Sequence, residues 1–304
     1  MIGVRAGRLG GVSRFEVFTD EQWARIEPML PSSDGQRGRP FRNHRQVVEG
    51  IVYRYRCGIA WRDLPPAFGP WQTVWKRHRR FSRDGTWDRI HALLLAEADA
   101  SGGIDWTVSV DATINRAHQH ATNLSRATGT QGITGNCLRN PTTNAVGRSR
   151  GGLSTKIHHA CDGKGRPLAF IIGPGQGSDS RMFPVVLAAI SVPRTGRGRA
   201  RNRPDTVLGD KAYSSRANRD LLRAKKIKTV IPEPRDQIAN RKRKGSRGGR
   251  PVDFDSETYK GRAVVEQSFN LFKQWRCIAT RYDKLALTYR AGVALYACLI
   301  WLRQ

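Results

Sequence analysis

Cysteine is scarce in this chain. The five residues at 57, 137, 161, 277 and 298 are odd in number, scattered, and never spaced Cys-x-x-Cys. That excludes a disulfide framework and a structural zinc site of ordinary ligand spacing. Long apolar runs are missing too. The longest, Ala291 to Leu302, covers about twelve residues, against the roughly 20 that a bilayer-spanning helix needs. It reads as a buried terminal helix. The start of the chain has no apolar signal core, and no lipidation motif or basic amphipathic helix with a clear apolar face is present. A cytoplasmic, nucleoid-associated location without a membrane partner is therefore expected. Acidic residues are the third shortage: 25 Asp+Glu face 53 Lys+Arg, giving a net charge of +28 and a pI near 11.1. Such an excess implies a polyanionic partner, most often nucleic acid.

With 304 residues, 38% of them hydrophobic, the chain is long enough for two domains and at least one sizeable core. Its charge is uneven. Residues 1–100 hold 17 basic and 11 acidic residues, whereas residues 194–251 hold 19 basic and 5 acidic, half of the net excess. Arg outnumbers Lys by 41 to 12, a balance that favours forked contacts to phosphate over point charges.

The Gly- and Arg-rich residues 1–16 are expected to be disordered. Residues 17–100 read as helical and DNA-binding. Thr19 and Gln22 make a capping box for a short helix, and Asn43 caps a longer one that stops at Gly58. A tight connector follows, then a helix from about Trp71 to Ser82 carrying Lys76, Arg77, Arg79 and Arg80. Thr86 caps a last helix through Leu95. Helix, short connector and Arg-rich helix is the pattern of a helix-turn-helix; a plain bundle with a basic face gives the same pattern.

From Trp106 the period changes to that of strands, and residues 101–304 read as an α/β domain. Thr107 to Asp111 is a strand ending in Asp, and residues 112–150 are a long polar stretch. Strands at 154–160 and 167–172 flank the turn Asp162-Gly163-Lys164-Gly165. A helix follows from Asp179 or Ser180 to Ile190. Thr206 to Asp210 is a second strand ending in Asp. After it come a helix over 215–225, a strand over 228–232, a basic loop over 235–251 and a late helix bearing Glu266. This order, with the first three strands as a meander, is that of a ribonuclease H-like fold, a mixed five-stranded sheet flanked by helices.

Asp111 and Asp210 close neighbouring strands, where sites form in open α/β sheets. Glu266 lies on Tyr259-x-x-Arg262-x-x-x-Glu266-x-x-x-x-x-x-Lys273, whose spacing puts the four polar residues on one helical stripe. Three convergent carboxylates suit Mg²⁺, and two such ions can serve phosphodiester cleavage. A solvated stripe with an ordinary Arg262–Glu266 pair, and strand-end aspartates that only shape turns, account for the same residues.

The segments TVSVDATINRAH (107–118), GRSRGGLSTKIH (147–158) and VLGDKAY (207–213), with the Tyr-Arg-Glu-Lys helix, resemble bacterial DDE transposases of the insertion-sequence-five family. The stretch GIAWRDLP (58–65) is similar to that family's helical DNA-binding part, and the likeness covers residues 17–302. The resemblance implies Asp111, Asp210 and Glu266 as ligands of two Mg²⁺ ions, with Mn²⁺ able to substitute. It implies Lys273 and Arg262 on transposon-end phosphates, Tyr259 near the cleavage point, and Arg148, Arg150 and Lys156 beside the helical arginines in DNA binding. The implied reaction frees a 3′-hydroxyl at the element's end and uses it to attack target DNA. Bringing two ends together implies self-association. A general ribonuclease H-like nuclease remains open as the closest enzymatic rival, and so do two other classes. One is a nuclease built on His118 and His120, although these fall in a polar loop. The other is a DNA-binding regulator derived from a transposase. His158 and His159 sit on opposite faces of one strand and cannot chelate one ion; one is expected packed and the other near substrate.

Overall fold

The computed structural model describes residues 17–33, 40, 41, 43–123 and 144–303. The disorder expected over 1–16, and Cys137, lie outside them. Helix α1 (Asp20–Ile26) opens on the expected capping box, with Thr19 accepting from Gln22 N. Helix α2 (His44–Cys57) is capped by Asn43 and stops at Gly58 in the left-handed region, φ 75°, which glycine enters without a Cβ clash. Helix α3 (Trp71–Arg83) is the Arg-rich one. Helix α4 (Thr86–Ala100) starts one residue off expectation: Gly85 is its N-cap, and the Thr86 amide is met by Asp84.

The α/β part begins with strand β1 (Thr107–Ala117), followed by β2 (Gly147–Ser149), β3 (Gly152–Cys161) and β4 (Pro167–Pro174). Helix α5 (Asp179–Ala189), strand β5 (Thr206–Gly209), helix α6 (Arg216–Ala224) and strand β6 (Lys228–Val230) alternate after it. The chain finishes with helices α7 (Arg235–Arg243), α8 (Ser256–Lys260), α9 (Ala263–Lys273) and α10 (Arg276–Ala279), the two-residue strand β7 (Thr280–Arg281) and helix α11 (Ala286–Trp301). Strand β3 pairs antiparallel with both β1 and β4. Strand β5 runs parallel to β1, and β6 parallel to β5. The path β4-β3-β1-β5-β6 is the ribonuclease H-like sheet. The short strands β2 and β7 bring it to seven, two more than expected.

Two expectations are corrected. β1 does not end at Asp111 but continues to Ala117, into the stretch read as polar loop. Its polar residues have partners there: Asn115 Nδ2 donates to the Ile278 carbonyl at 2.9 Å and to the Tyr289 hydroxyl at 2.8 Å. Residues 235–243 form α7 rather than loop. Pro234 precedes its first turn, Asp236 lies within that turn, and Arg241, Lys242 and Arg243 fill the last. That polarity suits the helix dipole even without an apolar face.

The apolar C-terminal run is α11, buried along most of its length. It crosses back onto the N-terminal helices, chiefly α4 and α3. His91 of α4 and Trp301 of α11 lie 3.0 and 2.7 Å from the Pro167 carbonyl at the start of β4. A buried polar knot joins the same parts. The Tyr55 hydroxyl donates to Asp283 Oδ2 at 2.7 Å and lies 3.0 Å from His78 Nε2. Arg54 reaches the same Asp283 oxygen at 3.4 Å. Among the described residues, no helix is long and apolar enough to cross a membrane.

Candidate active site

Sheet register brings the two aspartates together. Val110 pairs with Gly209 across the parallel strands β1 and β5, so Asp111 and Asp210 follow at neighbouring strand positions, close enough for the charge of one to act on the other. Because β1 runs on while β5 stops, Asp210 turns out of the sheet and caps a short 3₁₀ turn. Its Oδ1 accepts from Ala212 N at 2.9 Å.

Glu266 comes from the facing helix. The expected single helix is broken between α8 and α9, and Arg262 is the N-cap of α9. From there its guanidinium forks. Nη2 is 2.8 Å from Asp111 Oδ2, and Nη1 is 2.9 Å from Glu266 Oε1. Phe269 and Phe272, on the buried side of α9, pack on His159, the residue of β3 that pairs with Asp111 of β1. These contacts fix the height of the Glu266 turn over β1. Tyr259 lies near enough to act electrostatically on Arg262 and packs on Phe254. Lys273 is exposed at the far end of α9.

Burial pushes the Asp111 carboxyl up. The Arg262 guanidinium opposes this, and the charges of Asp210 and Asp179 add to it. Asp179 was read only as a possible helix cap. It sits in the first turn of α5 and takes Lys156 Nζ at 2.9 Å, with His158 Nδ1 at 3.5 Å. Tyr213, from the VLGDKAY segment, is also at the site. It is 1% exposed, its hydroxyl has no hydrogen-bond partner, and burial followed by the charges of Asp111, Asp179 and Asp210 holds it well above the ordinary phenol range.

The oxygen donors suit a hard dication. Two carboxylates already converge on one cationic group, and a third is close enough to raise the first by repulsion. Asp111 and Glu266 meet at Arg262, and among the described residues no three acids surround a single ligating point.

The remaining site residues are divided by exposure. Lys76 and Arg79 of α3 are exposed and Arg80 is half-buried. Arg77 is buried, its guanidinium carbon 3.5 Å from the Phe41 ring centroid. Arg148 and Arg150 are exposed. Lys156 is buried, donating to Asp179 and the Gly177 carbonyl. Both His158 and His159 are buried, at 1% and 0% exposure. Burial lowers them to about 4 and about 3. His118 and His120 stack on each other, and His118 stacks on Tyr282.

The family described as "Transposase DDE domain" matches residues 103–301, and "Putative transposase of IS4/5 family" matches residues 18–91. A Sinorhizobium fredii protein named "Uncharacterized protein y4sN" is 39% identical over 111 residues, which are 36% of this chain and 84% of its own. The "Insertion element IS402 uncharacterized 16.2 kDa protein" of Burkholderia cepacia is 38% identical over 108 residues, 33% of this chain and 74% of its own. The "Putative transposase for insertion sequence element IS6501" of Brucella ovis is 30% identical over 151 residues, 50% of this chain and all of its own.

Proposed function

This chain belongs to the DDE-domain transposases of insertion sequences, and from that premise we propose that Asp111, Asp210 and Glu266 are its catalytic acids. The reaction is DNA cleavage followed by strand transfer. The observation that carries the residue assignment is convergence: Asp111 and Glu266 share one guanidinium, and Asp210 adjoins Asp111 by strand register.

The three acids would hold divalent cations, two Mg²⁺ ions with Mn²⁺ as substitute. When bound, these supply Lewis-acid stabilisation of phosphoryl oxygens and activation of the attacking oxygen. The protein's own residues do the rest. Arg262 neutralises Asp111 and Glu266 in the DNA-free chain and would be free to turn to phosphate oxygens where those acids hold cations. Lys273 adds a second positive charge against the phosphate. Tyr259 stands beside Arg262 and packs against DNA near the break. Buried Tyr213 closes the back of the site as a neutral hydroxyl, so no further anion enters there.

Residues 17–100 form the part that grips the transposon end, led by Lys76, Arg79 and Arg80. Arg77 supports that helix from within by stacking on Phe41. Two copies of the chain act together, each on one end, on chromosomal DNA in the cytoplasm.

The test is a duplex carrying the element's terminal inverted repeat, incubated with Mg²⁺ and a target plasmid. Wild type is expected to release a 3′-hydroxyl end and join it. Asp111→Asn, Asp210→Asn and Glu266→Gln are each expected to cut both steps by about 10²–10³-fold or more while still binding the repeat. Undiminished cleavage by these variants rejects the assignment. Cleavage without repeats and without a joined product would mean a general ribonuclease H-like nuclease instead.

A further inference from the structure

Asp179 stands in the first turn of α5, the place of an ordinary capping acid. It does not cap. Among the described residues no backbone amide donates to it, and the N-cap residue, Ser178, makes no side-chain cap bond either. Its Oδ1 takes Lys156 Nζ at 2.9 Å and lies 3.5 Å from His158 Nδ1, while Oδ2 takes no hydrogen bond among the described residues. Lys156 is 7% exposed and donates besides to the Gly177 carbonyl. A buried ammonium is costly unless paired and hydrogen-bonded, so this ion pair is a built feature of the fold.

The pair lies on the sheet face that α5 covers, whereas Asp111 and Glu266 meet under α9. Strand β1 loses its β5 neighbour after Val110, and past that edge the two layers meet. Tyr213 shows this. Its ring packs on Phe183 of α5, yet the charges of Asp111 and Arg262 act on its hydroxyl. Buried Asn218 fastens the same corner. Its Nδ2 donates to the Ser180 carbonyl and Oγ at 3.2 Å each, and to the Tyr213 carbonyl at 3.1 Å. Tyr213 N in turn donates to the Asp210 carbonyl at 3.1 Å. These bonds tie the residue after Asp179 to the turn that Asp210 caps.

Within that corner the charge of Asp179 reaches Asp111. It also reaches the Tyr213 hydroxyl, a buried donor with no protein acceptor. A buried donor calls for an acceptor. One set among three acids and a guanidinium finds it in an oxygen of whatever those acids hold.

We propose that Asp179 is a fourth acid of the catalytic site, acting by its charge rather than as a ligand, and that Lys156 is the counter-ion that fixes this charge and offsets part of it. Asp179 is thus a positioning residue. It strengthens the pull of Asp111 and Asp210 on a divalent cation, and Lys156 weakens it. The inference rests on the reading of Asp111, Asp210 and Glu266 as the cation-holding acids.

The sign of two effects tests it. Asp179→Asn and Lys156→Met break the same ion pair, so a pair that serves only folding moves cation binding the same way in both. A charge that acts on the site moves it in opposite ways. Mn²⁺ affinity of the DNA-free full chain is read by electron paramagnetic resonance, with urea denaturation of each variant as the check on folding. Asp179→Asn is expected to weaken Mn²⁺ binding about fivefold, the scale of one unit charge acting on a dication across a partly aqueous path. Lys156→Met should tighten it about threefold by releasing the charge that the ammonium offsets. Asp179→Glu keeps the charge and should stay within about twofold of wild type. If Asp179→Asn fails to fold because Lys156 is left buried and unpaired, the double variant Asp179→Asn, Lys156→Met replaces it and is expected to bind Mn²⁺ more weakly than Lys156→Met alone by the same factor. Shifts in the same direction for the two single variants, or no shift in either, overturn the proposal. Asp210→Asn separates the two readings. If it loses Mn²⁺ while the Asp179 and Lys156 variants behave alike, the three acids stand and the role of Asp179 falls. If it binds Mn²⁺ as wild type does, both fall.

Discussion

Arg262 forks between Asp111 and Glu266 at 2.8 and 2.9 Å, and only a planar guanidinium serves two acids in this way. It acts as their resident cation. At about 4 Å and an effective dielectric near 20 a unit charge pair is worth roughly 4 kcal/mol, and the exposure of Glu266 screens this down. Removing the guanidinium should therefore strengthen the pull on another cation. Arg262→Gln is expected to bind Mn²⁺ about tenfold more tightly in DNA-free protein, read by electron paramagnetic resonance. The same variant should lose joining activity on DNA; unchanged or weaker Mn²⁺ binding would remove Arg262 from this role. Asp111, Asp210 and Glu266 were legible because strand and helix placement alone singles them out. Asp179 was not. An Asp in the first turn of a helix looks like a capping residue until strand pairing carries Lys156 and His158, two apart on one face of β3, against it. A buried lysine in a strand is the signal that calls for such a carboxylate. Tyr213 was passed over for a similar reason, since its neighbours come from β1, α5 and the end of β5.

Among the elements, α11 shows where close packing leaves no spare volume. Gly292 lies against α2, and a Cβ there would overlap the Tyr55 ring, whose hydroxyl is fixed by Asp283 and the Thr288 carbonyl. Gly292→Ala is expected to destabilise the chain by about 1–3 kcal/mol through overpacking, measured by urea denaturation. An effect within about 0.5 kcal/mol would show that the helices can move apart freely. Asp283→Ala acts on the same knot by another route. It leaves Arg54, 4% exposed, without its carboxylate, and should cost about 3–5 kcal/mol. Helix caps and the fold order could be read from sequence because they are local. The extent of β1 and the existence of α7 could not. The residues of β1 beyond Asp111 look like loop until the Ile278 carbonyl and the Tyr289 hydroxyl, more than 160 residues away, satisfy Asn115. Helix α7 has no buried residue to give it an apolar period.

At the scale of the whole molecule, the C-terminal helix closes on the N-terminal ones, so the first and last parts of the chain share a core that contains uncharged histidines. Burial lowers His78 and His91 from 6.5 to about 4 and His159 to about 3. The unfolded chain takes up these protons near pH 6.5, whereas the folded chain resists until about pH 4. Between those values the unfolded state binds more protons, so stability falls as pH falls. The contribution is fully present above pH 6.5. By pH 4 each imidazole has withdrawn about 3 kcal/mol. Two or three such groups are comparable with the roughly 5–15 kcal/mol that holds a domain folded. Far-ultraviolet circular dichroism is therefore expected to show cooperative acid unfolding between pH 4 and 6.5. His91→Gln keeps an amide donor toward the Pro167 carbonyl but cannot titrate. Its acid midpoint should move to lower pH even if its stability at pH 8 is reduced. Wild-type protein that remains folded at pH 3, or a midpoint unmoved by His91→Gln, would mean that these histidines are protonated without unfolding and that the shared core opens to water more readily than its packing implies.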